Sequence, residues 1–472
     1  MRLISAASRI ALLGFLLFSK ALSAQPSGES SIPQTNNNAI QTIYRLGVPH
    51  TDSQGQVRMD YEAGRSFFSI GIWGAQLPGR QWESESDWGV LSEAGFNTVW
   101  PWYCSLEQAL DAAEPHGLQI VYMGEVKEAE DCLIKDHPRL LGNVWHDEPI
   151  GKLGSADMDA LFADFNAYRA RIHALAPGLP VFINDAPWIM PPATEWWLKW
   201  NASAELACHD NYPIMNRKRR AQSIGAEPNG IPQSVSLGVA NGHEQRPQWL
   251  IVGAFEQPGE FGQAYPFRFP TPQQLRASVY AGIIHGATGI IYFTWDTYVP
   301  RDGGVIGMAP NPKAAYTPSP QREGYTRPSP ATPMQLIQSR ALWEAATQIN
   351  RELAELTPVI LSPSAGPEFV VDLAVEGEAV VVNPIRVLVK PLAEGGYLLL
   401  TVNLDDAVLR GTYRFPNAVA GATALYENQL PLELATDARE VAFTYEPFAV
   451  HLIQITFAPS SGAAKANPDL SI

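Results

Sequence analysis

Glu148 and Glu256 each close a short apolar run. Glu148 follows Leu140-Leu141-Gly142-Asn143-Val144-Trp145 and the polar pair His146-Asp147, and Glu256 follows Trp249-Leu250-Ile251-Val252-Gly253-Ala254-Phe255. Such runs read as buried strands. A carboxylate at the C-terminal end of a barrel strand points into the barrel mouth. Two carboxylates that meet there can cleave a glycosidic bond, one as acid and the other as nucleophile or base. Glu148 is the candidate acid/base, because an apolar or anionic setting would raise its pKa, and Asp147 beside it supplies a like charge. Glu256 is the candidate nucleophile and must stay ionised through hydrogen bonds. The bland readings are a polar loop for His146-Asp147-Glu148 and a position above the site for Glu256. Asp210 and Asp296, at the ends of the sixth and eighth strand candidates, are rival carboxylates.

Aromatic residues gather at the same strand ends: Trp73, Trp102, Tyr103, Trp145, Trp188, Tyr212 and Trp295. Sugar rings present C–H faces that pack on such side chains. The competing expectation for each is that it fills the barrel core. His146, Asp147, Asn184, Asp185 and Asp210 complete the candidate substrate contacts, although helix capping explains Asn184 and Asp185 equally well.

The elements needed to position these residues follow from the hydrophobic pattern. Strand candidates fall at 67–73, 98–102, 119–123, 143–145, 181–184, 206–208, 249–255 and 289–294, separated by amphipathic stretches clearest at 86–94, 156–174, 194–200, 272–285 and 335–356. Eight alternating βα units make a (β/α)8 TIM barrel the economical α/β fold. Residues 216–246 should hold the sixth helix but are rich in Gly, Pro and Asn after the basic run Arg217-Lys218-Arg219-Arg220; residues 298–333 are dense in Pro and Gly. Both read as loops that shape the site. From 358 the pattern turns to short β-branched runs at 380–382, 398–402, 411–415 and 450–455, which reads as a C-terminal antiparallel β-sandwich. The division is therefore a signal peptide over 1–24, a leader over 25–60, the barrel over 61–357, the sandwich over 358–459 and a disordered tail over 460–472.

The N-terminus carries Arg2 and Arg9 ahead of an apolar stretch over 10–18, then small residues through Ala24. That pattern predicts export to the periplasm or the medium. No segment approaches the roughly 20 apolar residues of a membrane helix. Loss of Arg2, Arg9 and Lys20 takes the formal charge from -15 to -18, which disfavours nucleic acid as a partner. Export makes a Cys104–Cys132 disulfide possible, whereas Cys208 lies in an apolar strand and reads as a buried thiol.

From 67 to 356 the chain resembles the large clan of (β/α)8 retaining glycoside hydrolases. In that clan the acid/base Glu ends strand four and the nucleophile Glu ends strand seven, which implies these roles for Glu148 and Glu256. Trp295 looks like the aromatic common after strand eight. The chain departs at Asp147, where the clan usually has an asparagine that bonds the sugar 2-hydroxyl. The resemblance implies a β-linked oligo- or polysaccharide substrate and no cofactor. Two alternatives remain: a sugar-binding barrel without catalysis, and a metal-dependent hydrolase using His146, Asp147, His209 and Asp210.

Overall fold

Eight largely buried runs become the parallel strands of a barrel in the computed structural model. It describes residues 50–51, 57–58 and 67–458 except 76, 78–87, 103, 136, 153–156, 187–192, 215–223, 226–228, 243–245, 258–266, 296–304, 309–331, 363, 365–370, 428–432 and 435–438. After a two-stranded ribbon of His50–Thr51 with Val57–Arg58, strands and helices alternate. They are β1 Ser69–Ala75, α1 Gly89–Glu93, β2 Thr98–Pro101, α2 Leu106–Ala113, β3 Gln119–Met123, α3 Asp131–Ile134, β4 Leu140–Asp147, α4 Pro149–Lys152 and α5 Met158–Leu175. Then come β5 Val181–Asn184, α6 Ala193–Ser203, β6 Ala207–Asn211, α7 Ile231–Asn241, β7 Gln248–Gly253, α8 Pro272–Ile284, β8 Gly289–Phe293 and α9 Pro333–Ile360. The strand order is β5-β4-β3-β2-β1-β8-β7-β6 and every ladder in it is parallel. The expected TIM barrel is present.

Large rings fill the interior. Trp73 stacks on Trp100 at 4.8 Å, and Phe182 lies edge-on to Trp100 and Trp249 at 5.8 and 5.9 Å. Room for Trp249 comes from Gly289, its register partner on β8, where a Cβ would fall 2.6 Å from the indole. α8 and α9 open with the same signature, Thr271-Pro272-Gln273-Gln274 and Thr332-Pro333-Met334-Gln335. In each, the threonine hydroxyl and the glutamine side chain satisfy one another's backbone N–H.

Two expectations change. The Gly- and Pro-containing stretch 216–246 does contain its helix, α7, which buries Ile231, Val235 and Gly238. Gly238, unfavourable by helix propensity, lets the helix approach Gln248 where a Cβ would collide with the side-chain amide. In the second layer, residues 380–382 form a bend rather than a strand. The C-terminal strands are β9 Asp372–Glu376, β10 Ile385–Pro391, β11 Tyr397–Asn403, β12 Leu409–Arg414, β13 Val419–Ala424, β14 Glu433–Leu434, β15 Glu440–Tyr445 and β16 Val450–Phe457. They form two antiparallel sheets, β9-β12-β15-β14 and β10-β11-β16-β13. In the second sheet the central strands β11 and β16 are buried on both faces. Leu398, Leu400, Val402 and Leu452 join the barrel-side core, whereas Leu399, Ile453 and Ile455 join the core between the sheets. Two-sided burial is why Leu398 to Val402 reads as a continuous apolar run. The three cysteines are free thiols, Cys208 buried and Cys132 exposed, so the Cys104–Cys132 disulfide is not formed.

Among the described residues no backbone ladder joins β5 to β6. Side chains close that seam instead. Glu205, just before β6, accepts the Val181 N–H at 3.1 Å and pairs with Arg169 of α5. Truncation would leave a buried N–H and a half-buried guanidinium without their acceptor. Glu205→Ala should therefore destabilise the protein by about 1–3 kcal/mol. Urea unfolding measures this; an unchanged midpoint would mean that other contacts hold the seam.

Candidate active site

β4, β5 and β6 deliver an acidic cluster to the C-terminal end of the barrel. Asn184, the last residue of β5, donates through Nδ2 to Asp147 Oδ1 of β4 at 2.9 Å and to Asp210 Oδ1 of β6 at 3.1 Å. Its backbone carbonyl accepts the Glu148 N–H at 2.7 Å. Glu148 itself adopts a left-handed backbone with φ of 51°. That conformation is costly for a residue with a Cβ and concentrates at functional sites. Asp185 Oδ2 accepts the Ile150 N–H at 2.6 Å, so Asp185 fastens the turn that carries Glu148. It thereby ties the end of β5 to the turn that follows β4.

Asp210 is a strongly perturbed acid. Burial pushes its carboxyl well above the ordinary 3.8, and the charges of Glu148, Asp147 and Asp185 push in the same direction, opposed by the Asn184 hydrogen bond. A carboxyl in this setting holds its proton because ionisation would add a further buried like charge. The cluster thus contains a proton donor beside ionisable neighbours, which general acid–base catalysis requires.

His209 does not face this cluster. Strand alternation turns it toward the helices, where its Nδ1 lies 2.9 Å from Gln248 Nε2 and its Nε2 lies 3.0 Å from Ser234 Oγ. Burial lowers its pKa to about 3, so the ring is neutral. The His146, Asp147, His209 and Asp210 metal set is corrected accordingly, because both His209 nitrogens are committed elsewhere. His146 is exposed and packs edge-on to Trp145 at 4.3 Å.

Glu256 lies three residues past β7, on the rim. Its backbone exchanges both hydrogen bonds with Ile306, at 3.0 and 2.8 Å, and its Oε1 accepts from Gln335 Nε2 of α9 at 2.5 Å. The same Gln335 caps α9 through its carbonyl end, which fixes the amide with its N–H toward Glu256. Glu256 is therefore a hydrogen-bonded carboxylate in a local arrangement of its own, apart from the Asn184-centred bonds.

The aromatic candidates divide into two groups. Trp73 and Trp295 are each 2% exposed, the first stacked on Trp100 and the second packed 4.9 Å from Trp343 of α9. Trp145 is equally buried and stacks on Trp200 at 5.7 Å. These three are core, because side chains that alternate into the sheet–helix layer or the barrel axis present no free face. Trp102 and Tyr212 stay partly exposed and meet around Phe293, at 6.1 and 5.5 Å, with Phe255 at 5.0 Å. Phe293 and Phe255 were not singled out from the sequence; their only signal is that they close or follow strands eight and seven. Gln335, 79 residues from Glu256, left no local signal. Tyr103, Trp188 and Asp296 lie outside the described residues.

No protein-family model matches the chain, and no curated protein matches it. Among solved structures it is similar to a β-galactosidase from the psychrophilic Marinomonas ef1, at 11% identity over 62% of this chain and 61% of that one, with a TM-score of 0.42. The chain thus spans less than two thirds of that enzyme's length. It is also similar to a family 39 glycoside hydrolase from Bacteroides cellulosilyticus WH2, at 10% identity over 82% and 81% of the two chains, TM-score 0.41. A family 5 glycoside hydrolase from Bacteroides vulgatus ATCC 8482 is similar at 15% identity over 88% and 95%, TM-score 0.48.

The sign of the Asp210 effect is testable through stability. Its folded pKa lies above the unfolded value, so its proton-linked contribution is fully present below about 3.8 and is lost as pH rises through the folded pKa. Asp210→Asn keeps the acceptor for Asn184 and removes the charge. It should raise Tm near neutral pH and leave Tm unchanged near about pH 4. Calorimetric scans at both pH values decide it, and a lower Tm at neutral pH would mean that Asp210 is ionised there.

Proposed function

We propose that this protein is an exported glycoside hydrolase that cleaves a β-linked glycan by a retaining, two-carboxylate mechanism, with Glu148 as acid/base and Glu256 as nucleophile. The reading rests above all on one observation: four carboxyl groups converge at the C-terminal end of the barrel, and three of them oppose ionisation of the fourth, Asp210. The partly exposed rings around Phe293 supply a surface suited to a sugar face beside them. In the first step Glu148 protonates the glycosidic oxygen as Glu256 attacks the anomeric carbon, releasing the leaving group. In the second, Glu148 takes a proton from water, which displaces Glu256 from the same carbon. Gln335 holds the Glu256 carboxylate in one orientation, and Asp185 holds the backbone turn of Glu148.

A second assignment has its own support: Asp210, which holds its proton beside Glu148, can be the acid and Glu148 the nucleophile. Three variants separate the assignments. Under the first, Glu148→Gln should lower turnover of natural glycans by roughly 10²–10⁴-fold and largely spare aryl glycosides with good leaving groups, and Glu256→Ala should abolish both activities. Under the second, Glu148→Gln should abolish both activities and Asp210→Asn should largely spare the aryl glycosides. Product anomers read by NMR test retention. Tight oligosaccharide binding with no turnover in the wild type would replace hydrolysis by a binding role.

A further inference from the structure

Tyr212 directly after β6, Gly253 at the end of β7, and Phe255, Phe267 and Arg268 beyond it line a cleft at the edge of the aromatic patch. Gln257 bonds the Phe267 carbonyl at 3.0 Å, which pins the returning strand of chain so that Arg268 borders the cleft. Arg268 is half-buried, and its Nη1 donates to the Phe269 carbonyl at 3.0 Å and to Gln274 Oε1 at 3.2 Å. Both acceptors are neutral. Burial pulls its pKa below the usual guanidinium range. Among the described residues no carboxylate forms an ion pair with it. Arg139, Arg169, Arg171, Arg276 and Arg414 each have one. The contrast matters in a chain where 48 acidic residues face 33 Lys and Arg, so a countercharge is the easier thing to supply.

We propose that Arg268 receives an anionic substituent, a carboxylate or a sulfate, of a sugar that rests over the cleft between the ends of β6 and β7, whose water-sized interior admits the charged tip alone. The proposal rests on the glycan reading above and adds the charge of the substrate to it. A guanidinium carries five N–H donors in a planar fork, and its neutral contacts here engage only Nη1. The remaining edge matches the two oxygens of a carboxylate or a sulfate. Tyr212, Phe255 and Phe267 form the apolar rim on which the ring bearing the anion rests, and the stack of Tyr212 on Phe293 joins this cleft to the mouth. The cation also offsets the repulsion that an anionic sugar would meet from Asp147, Glu148 and Asp185.

NMR titration of the full-length protein with matched methyl glycosides tests this: neutral glucose and galactose, their uronic acids, and their 6-sulfates. The uronic or the sulfated member should bind roughly tenfold tighter than its neutral partner, and whichever does so identifies the anion. Arg268→Gln should erase the preference and leave neutral affinity unchanged, while Arg268→Lys should keep part of it. Added salt should shrink the preference in the wild type, which provides a readout even if Arg268→Gln does not fold. Equal binding of charged and neutral sugars, or a preference that survives in folded Arg268→Gln, overturns the proposal. The preference without turnover of any glycan would instead overturn hydrolysis alone, and turnover without the preference would overturn only the role of Arg268.

Discussion

One side-chain amide keeps two acids at the barrel mouth in place. Asn184 spends both Nδ2 hydrogens on carboxyl groups from different strands, Asp147 on one side and Asp210 on the other, while its backbone carbonyl holds the N–H of Glu148. It sits on β5, at the seam where the barrel lacks a backbone ladder. At this end of the seam the two strands are therefore connected through the same bonds that orient the acids. Glu205 does the corresponding work at the other end, with a carboxylate in place of an amide. Orientation of the acids and closure share one set of hydrogen bonds.

That sharing is unfavourable locally. Like charges oppose ionisation of Asp210, and Glu148 occupies a left-handed backbone. Both break local rules that the rest of the chain obeys, as expected where function sets the geometry. The compensation lies away from the rim. The ring stack inside the barrel buries several of the largest side chains in the protein, and the sheet β10-β11-β16-β13 covers the outer helices with its barrel-side residues. Lys390 of β10 reaches across to the Ser362 carbonyl just past α9 at 2.6 Å, and Tyr426 reaches Glu355 of α9 at 2.8 Å. The C-terminal layer thereby stiffens α9, whose first turn presents Gln335 to Glu256.

Aromatic residues serve two separate ends in one barrel. Trp73, Trp100 and Trp249 are interior rings that fill the axis, made possible where a neighbouring strand carries glycine, as Gly289 does beside Trp249. Trp102, Tyr212, Phe255 and Phe293 form the upper surface. Trp100 and Trp102 are two positions apart, so alternation sends both the same way, the first into the axis and the second one layer higher at the mouth.

The amino-acid sequence by itself determined the order of elements and the strand positions. The third and fifth strands were legible to the residue, at Gln119–Met123 and Val181–Asn184, since short runs rich in apolar and β-branched residues carry a strong local signal. It also placed Asp147, Glu148, Asn184, Asp185 and Asp210 at strand ends. α7 was obscured because its Gly and Pro satisfy packing instead of propensity. Only the tertiary structure decided which acid keeps a proton, that His209 turns away while Asp210 turns in, that Trp73 and Trp295 are core, and that Gln335 holds Glu256. Those outcomes depend on which distant side chains arrive within a few ångströms, and on how much water their arrival excludes. Neither quantity is written in any local stretch of residues.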